Sequence, residues 1–365
     1  MKDRKVMATH KAWRLHARND LRFDDVETPT PAPDGVLVKI EAGMVLSYTD
    51  RVLSGAVPYS LPSMPFVPGT NAIGRVIATG AHVTHVAAGD RAFLSPHLRG
   101  DVPDAEPPQI LIGLTAMVTT EAALALQARW RDGVFAEIAH WPAACVTPLT
   151  RLDDRPATEL IALAKLIVPF GGLQRTGLHG GETILVNGAT GYFGSGGVML
   201  AVAMGAGRVV AVGRKREALE RLRDAFGPRV IPAVVTGDVA GDLAAIRHAA
   251  GGGADVALDL LGSAKSTSTT LSCLRALKRG GRLVLMGSAE VPLELSFREM
   301  LANDWEVVGQ FMYDRTAPGQ LAALATEGLL DLEKIVVTTF KLADFKRAVE
   351  AAALMQGLDL TAVVP

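Results

Sequence analysis

The pattern of apolar and polar positions changes character near residue 158. Before it, short alternating runs dominate and prolines interrupt them. KAWRLH and LRFDDV read as the arms of a hairpin turned at Asn19-Asp20. VLVKIEAG, NAIGRVIATG, GDRAFL and FAEIAHW continue as strands with glycine or polar stops. After it, apolar strands alternate with helix-length segments. The clearest stretch runs from Thr183 to Arg214. Thr183–Asn187 is an unbroken apolar run of the kind that makes a buried parallel strand. Gly188, Gly191 and Gly194 follow, then a small-residue helix to Gly205, then a second strand at 209–212. Further strands are predicted at 231–235, 255–262, 282–287 and 306–309. Helices are predicted at 217–225, 238–250, 266–277 and 297–303. Six strands with helical crossovers predict a doubly wound α/β Rossmann sheet. The last part gives a helix at 318–327, a strand at IVVTTF and a helix at 344–355. Domains are therefore expected at 1–157, 158–311 and 312–365.

The glycines give the Thr183–Arg214 stretch its chemistry. Side chains at Gly188 or Gly191 would obstruct the tight turn or hold a pyrophosphate off the backbone amides. Gly194 lets the helix lie close to the strand. The helix start then offers unpaired N–H groups and a partial positive charge to phosphates. Strand, turn, helix and strand together point to a dinucleotide site comprising Gly188, Ala189, Thr190, Gly191, Tyr192, Phe193 and Gly194. The end of the second strand reads Gly213-Arg214-Lys215-Arg216, with no carboxylate before Glu217. An acidic residue there would take a ribose 2′-hydroxyl; a guanidinium takes a 2′-phosphate instead. Charge-assisted bonds of this kind contribute about 1.5–3 kcal/mol each, so NADPH is expected over NADH by roughly ten- to a hundredfold. The alternative is that these cations are the solvated start of a helix.

Composition narrows the field. The 365 residues suffice for two cores, and 37 basic against 38 acidic residues leave a net charge of −1. No basic stripe points to nucleic acid. Cys145 and Cys273 exclude a disulfide framework and a four-cysteine zinc lobe; apolar neighbours make both packing residues. The N-terminus lacks the apolar run of a signal peptide, and no apolar segment is read as spanning a bilayer. A cytoplasmic protein with a small-molecule substrate and no membrane partner is expected.

PFVPGTNAIGRV at 65–76, GDR at 89–91, GVFAEIAHWP at 133–142, DLLG at 259–262 and GGRLVLMG at 280–287 add to the glycine stretch. With these motifs the chain resembles the medium-chain dehydrogenase/reductase superfamily over nearly its whole length. The resemblance implies a chaperonin-10-like β-barrel domain, an inserted dinucleotide domain and a C-terminal return, with the cofactor in the cleft between them. It also implies a homodimer formed through the last strand of the nucleotide sheet, where VVG at 307–309 would otherwise be a bare edge.

Departures from the resemblance are informative. Zinc members carry a glycine-His-Glu where this chain has Gly69-Thr70-Asn71. They carry a cysteine ahead of a Ser/Thr-Asp pair where this chain has Ser47-Tyr48-Thr49-Asp50. No Cys or His lies in 163–174, where a third ligand would fall, and 95–132 contains no cysteine. His82, His85, His97, His140 and His179 lack ligand spacing. Zinc takes thiolate, imidazole or carboxylate, so a metal-free member similar to quinone oxidoreductases and enoyl reductases is expected.

Without a Lewis acid, reduction of a quinone or an α,β-unsaturated carbonyl is the least demanding hydride transfer, because hydrogen bonds can hold the enolate charge. Tyr48 falls in the former metal loop and Tyr59 in SGAVPYSLP, near the acid tyrosine of mitochondrial-type enoyl thioester reductases. Thr49 matches the relay hydroxyl of zinc alcohol dehydrogenases, and Asn71 stands ready for a carbonyl or ribose. Structural hydrogen bonding or packing is the alternative for each. Tyr192 is expected to touch the pyrophosphate. Met286, Gly287 and Ser288 are expected beside the nicotinamide, with Phe311 on the return. A zinc-free ketone or aldehyde reductase and a non-catalytic NADPH-binding protein remain as rivals.

Overall fold

The computed structural model describes residues 8–101, 106–262 and 264–365. The chain divides into two compact units, one of residues 1–164, 335–355 and 360–365, the other of 165–334 and 356–359.

In the first unit, Thr9–Ala17 and Asp20–Glu27 form the expected hairpin, with Asn19 at a positive φ of 63°. The main sheet is antiparallel from Val146–Pro148 through to Asp359–Val364. Its order is Val146–Pro148, Arg91–Leu94, Ala72–Thr79, Gly35–Val45, Asp359–Val364 and Val336–Lys341, with Ile138–Pro142 also on Gly35–Val45. Alternation along the strands turns Val38, Ala92, Leu94 and Trp141 into one core, which Phe66 and Phe345 join. The Trp13 indole N–H donates to the Leu342 carbonyl at 2.7 Å, tying the returning segment to the hairpin.

The second unit has the expected six-stranded parallel sheet, ordered Val230–Val234, Arg208–Gly213, Thr183–Asn187, Ala254–Asp259, Leu277–Leu285 and Glu306–Gly309. The order reverses direction at Thr183–Asn187, the switch point beside which open α/β sheets bind ligands.

Several elements differ from expectation. Segment 312–334, with helix Ala317–Thr326, clusters with the nucleotide unit, and the return begins at Ile335. Helices Thr49–Ser54, Glu121–Arg129 and Ala162–Thr176 stand in stretches read as strand-rich or unassigned, and the strand Asp359–Val364 was not foreseen. The run Ala157–Thr176 is apolar but interrupted by Glu159 and Lys165. An 18-residue stretch of it has a mean hydropathy of 1.3, enough by length and composition alone to cross a bilayer, and 72% of that stretch is buried inside the protein. The proline-rich loop at 98–110, read as a lid, lies partly outside the described residues.

Candidate active site

The candidate site residues fall in two sets, one in each unit. In the nucleotide unit the apolar strand Thr183–Asn187 ends in Gly188, at a φ of 78°. The Ala189 N–H donates to the Val212 carbonyl at 3.0 Å, so the turn is stitched to the end of the second strand. Helix Tyr192–Ala203 starts with Gly191 at its N-cap, and no side chain caps it. The opening turn of a helix carries N–H groups with no intrahelical acceptor. A Cβ on Gly194 would overlap the Gly188 carbonyl oxygen, so this glycine is fixed by the close approach of helix and turn. Gly191 is less demanding: its φ of −77° suits any residue. The Thr190 side chain lies beside Gly213, which joins the glycine turn to Arg214 and Lys215. Both cations are exposed and make no ion pair or hydrogen bond among the described residues. Arg216, by contrast, lies 4.0 Å from Glu220.

The neighbouring strand ends are held by Asp259. Its carboxylate accepts from the Asn187 amide at 2.8 Å, the Thr270 hydroxyl at 2.7 Å and the Leu261 N–H at 2.9 Å. Its carbonyl accepts from the N–H groups of Met286 and Gly287, each at 3.0 Å. Burial raises the Asp259 pKa against these three donors. A Cβ on Gly287 would overlap the Leu261 carbonyl. Met286, Gly287 and Ser288 thus stand at the carboxyl end of the sheet, where the switch-point rule places ligands. Phe311 is 43% exposed in the segment after the last strand.

Tyr192 is half-buried at the start of the helix. Its side chain does not stand free beside the turn: the Lys165 ammonium lies 3.5 Å from its ring centroid, and burial raises its phenol pKa. Lys165 is fully buried, donates to the Asp359 carbonyl at 3.3 Å, and has a pKa well below the usual lysine value because of burial. The sequence reading passed over Lys165 because it scanned that segment for Cys and His alone.

In the first unit, strand Gly35–Val45 runs into Leu46–Thr49, and the Met44 N–H donates to the Asn71 carbonyl at 2.9 Å. That pairing sets the 44–49 and 68–71 segments side by side. Thr49 and Thr70 line one recess of about 10 Å³ with Met44, Leu46, Val52 and Phe135. The Thr49 hydroxyl donates to the Leu46 carbonyl at 2.8 Å, and the Asn71 amide to the Leu94 carbonyl at 3.4 Å. Both candidates therefore have structural bonds. The Thr70 hydroxyl is buried and has no hydrogen-bond partner among the described residues. Tyr48 and Tyr59 meet edge to face, with ring centroids 6.4 Å apart; Tyr59 is 36% exposed.

The sequence model for the alcohol dehydrogenase GroES-like domain matches residues 32–151, and that for zinc-binding dehydrogenase matches residues 193–327. The chain belongs to the medium-chain dehydrogenase/reductase superfamily. An L-arabinitol 4-dehydrogenase from Aspergillus oryzae is 28% identical over 298 residues, 78% of this chain and 74% of its own. Acryloyl-coenzyme A reductase from Metallosphaera sedula is 26% identical over 331 residues, 89% and 91%. A zinc-binding dehydrogenase structure from Sinorhizobium meliloti 1021, bound to NADP, shares the fold at a TM-score of 0.78 and 22% identity, over 98% of this chain and 100% of that one.

As a medium-chain dehydrogenase/reductase, this chain is an oxidoreductase whose superfamily includes zinc enzymes. Its donor set does not suit zinc. Hydroxyls of Ser47 and Thr70 stand in the ligand register, and Thr70 faces an apolar recess. Among the described residues no three His, Cys, Asp or Glu side chains converge as a metal site. His85, His97 and His140 each make a local hydrogen bond. Cys145 and Cys273 are buried and form no disulfide; the Cys145 thiol reaches the His97 carbonyl at 3.4 Å, and burial pushes the Cys273 thiol well above its ordinary pKa, as fits packing residues.

Proposed function

We propose that this oxidoreductase is an NADPH-dependent, zinc-independent reductase of quinones or α,β-unsaturated carbonyl compounds. The observation that carries the reading is the Thr70 hydroxyl, buried and partnerless at the position of a metal-binding His. A buried hydroxyl without a partner costs about 1–3 kcal/mol. It is therefore suited to a ligand oxygen that completes it.

Gly188–Gly194 would hold the pyrophosphate, and Arg214 with Lys215 the 2′-phosphate. The NADP bound by the Sinorhizobium meliloti protein supports this choice. When bound, NADPH supplies the hydride. The chain's own task is to hold negative charge as it grows on the acceptor oxygen, and one well-placed donor contributes about 3–4 kcal/mol to that. Thr70 is the proposed donor. Tyr48 or Tyr59 gives the proton that completes reduction, with Thr49 accepting from a neighbouring hydroxyl. The acryloyl-coenzyme A reductase among the relatives supports an activated alkene as acceptor. The L-arabinitol 4-dehydrogenase supports a second reading, carbonyl–alcohol exchange without zinc.

NADPH oxidation against a panel of quinones, enones, enoyl thioesters, ketones and aldehydes tests the proposal. Turnover confined to quinones or activated alkenes is expected. Turnover confined to ketones or aldehydes transfers the assignment to the second reading. No turnover with any of them favours a non-catalytic NADPH-binding protein.

A further inference from the structure

A second cavity, of about 370 Å³, lies in the first unit among residues that do not line the Thr70 recess. One wall is a face of the N-terminal hairpin. Alternation along Thr9–Ala17 puts His10 and Arg14 on that face. Asp25 and Glu27 also border the cavity, but they pair in register with Lys11 and Thr9, so their side chains leave from the opposite face. There Asp25 meets the Lys11 ammonium at 2.7 Å. The other wall is the 131–140 segment, carrying Arg131 and His140.

Arg14 and Arg131 bring unmet cationic donors to this cavity, and Glu27 at its rim has no side-chain partner among the described residues. Arg14 makes no hydrogen bond or ion pair among the described residues. The Arg131 Nε is buried without a partner among the described residues, although its terminal nitrogen reaches Asp132 at 3.3 Å. Asp132 is itself occupied, accepting from the Val67 N–H at 2.8 Å. His10 and His140 are not competing cations. Burial lowers both pKa values, and the His140 Nε2 accepts from the Ala32 N–H at 3.0 Å. Val26, Val67 and Ile138 give the cavity apolar surface.

We infer that this cavity binds a small organic carboxylate, its charge taken by Arg14 and Arg131 and its hydrocarbon part lying on Val26, Val67 and Ile138. Unmet guanidinium donors match a carboxylate or a phosphate in geometry. The apolar wall decides between them, since a bare inorganic anion leaves it unfilled. The volume is in the range of small-molecule pockets.

The test is calorimetric titration of the full chain, with and without saturating NADP⁺, using benzoate, benzamide and inorganic phosphate as probes. Benzoate is expected to bind at millimolar concentration or tighter in both conditions, and at least tenfold tighter than either other probe. Arg14→Gln and Arg131→Gln are each expected to weaken benzoate at least tenfold and to leave NADPH turnover unchanged. Failure of benzoate to bind overturns the inference. So does equal binding of benzamide or phosphate, or unchanged benzoate affinity in Arg14→Gln. Arg14 has no partner to lose, so that variant remains a fair test if Arg131→Gln unfolds. A carboxylate held at the hydride-transfer site would survive Arg14→Gln, which separates this site from the reductase reading.

Discussion

Thr70 shows how one side chain can be legible in identity and hidden in role. The sequence marks it as a hydroxyl in place of a metal-binding His. Its burial and lack of a partner emerge only when 44–49 is laid against 68–71. Thr70→Val keeps the shape and removes the donor. Turnover of the true acceptor should fall about a hundredfold, the usual effect of one oxyanion donor, while Tm holds or rises because an unsatisfied buried hydroxyl is gone. Unchanged turnover would remove Thr70 from the mechanism. Arg214 is proposed for the 2′-phosphate from its position alone, and its exposure would screen that interaction. Arg214→Ala should therefore raise the KM for NADPH about tenfold, at the low end of a charge-assisted bond, and leave NADH unaffected; steady-state kinetics with both coenzymes decides. His10 and His140 set a pH dependence. Burial lowers both from the ordinary value of 6.5. The stability they contribute is present in full above about pH 6.5 and is lost as pH falls through the lowered folded values. Thermal melts should show Tm declining below about pH 6.5 and losing part of that slope in His140→Gln; a slope unchanged in that variant would contradict this.

Elements were readable where one period governs them. Parallel strands buried on both faces stand out as apolar runs, and Thr183–Asn187 falls where the sequence puts it; the edge strand Glu306–Gly309, with no buried residue, was legible from its two valines. Helix Ala162–Thr176 was obscured because it contains Pro169, Gly171 and Gly172. Its glycines answer to tertiary neighbours: a Cβ on Gly171 would overlap the Met312 carbonyl, and one on Gly172 would press on Leu258 and the Met286 sulfur. Asp359–Val364 was missed because its pairing partner, Gly35–Val45, lies over 300 residues away in sequence. At this scale the glycine turn offers the sharpest test. Gly194→Ala must push the helix off the turn, so NADPH affinity should fall at least tenfold in a chain that still melts cooperatively. A variant with native affinity would refute the proposed seat of the pyrophosphate. Gly191→Ala should be milder, since its backbone needs no glycine.

For the whole molecule, the superfamily was legible because its motifs are spread along the entire chain. The unit boundary near Ile335 was not, since only packing assigns 312–334 to the nucleotide unit. The proposed homodimer has a physical motive. The last strand of the parallel sheet is an edge, and helix Phe297–Asn303 just before it exposes Phe297 at 83% and Leu301 at 68%. Light scattering should report a dimer, and Phe297→Asp with Leu301→Asp should shift it toward monomer; a wild-type monomer would exclude the interface. The central claim is that hydride reaches its acceptor without a metal ion. The direct measurement is metal content together with NADPH-dependent turnover of the best acceptor, before and after prolonged chelation. The account predicts far less than one zinc per chain and unchanged turnover after chelation. One tightly bound zinc per chain, with activity lost on its removal and restored on its return, would contradict it.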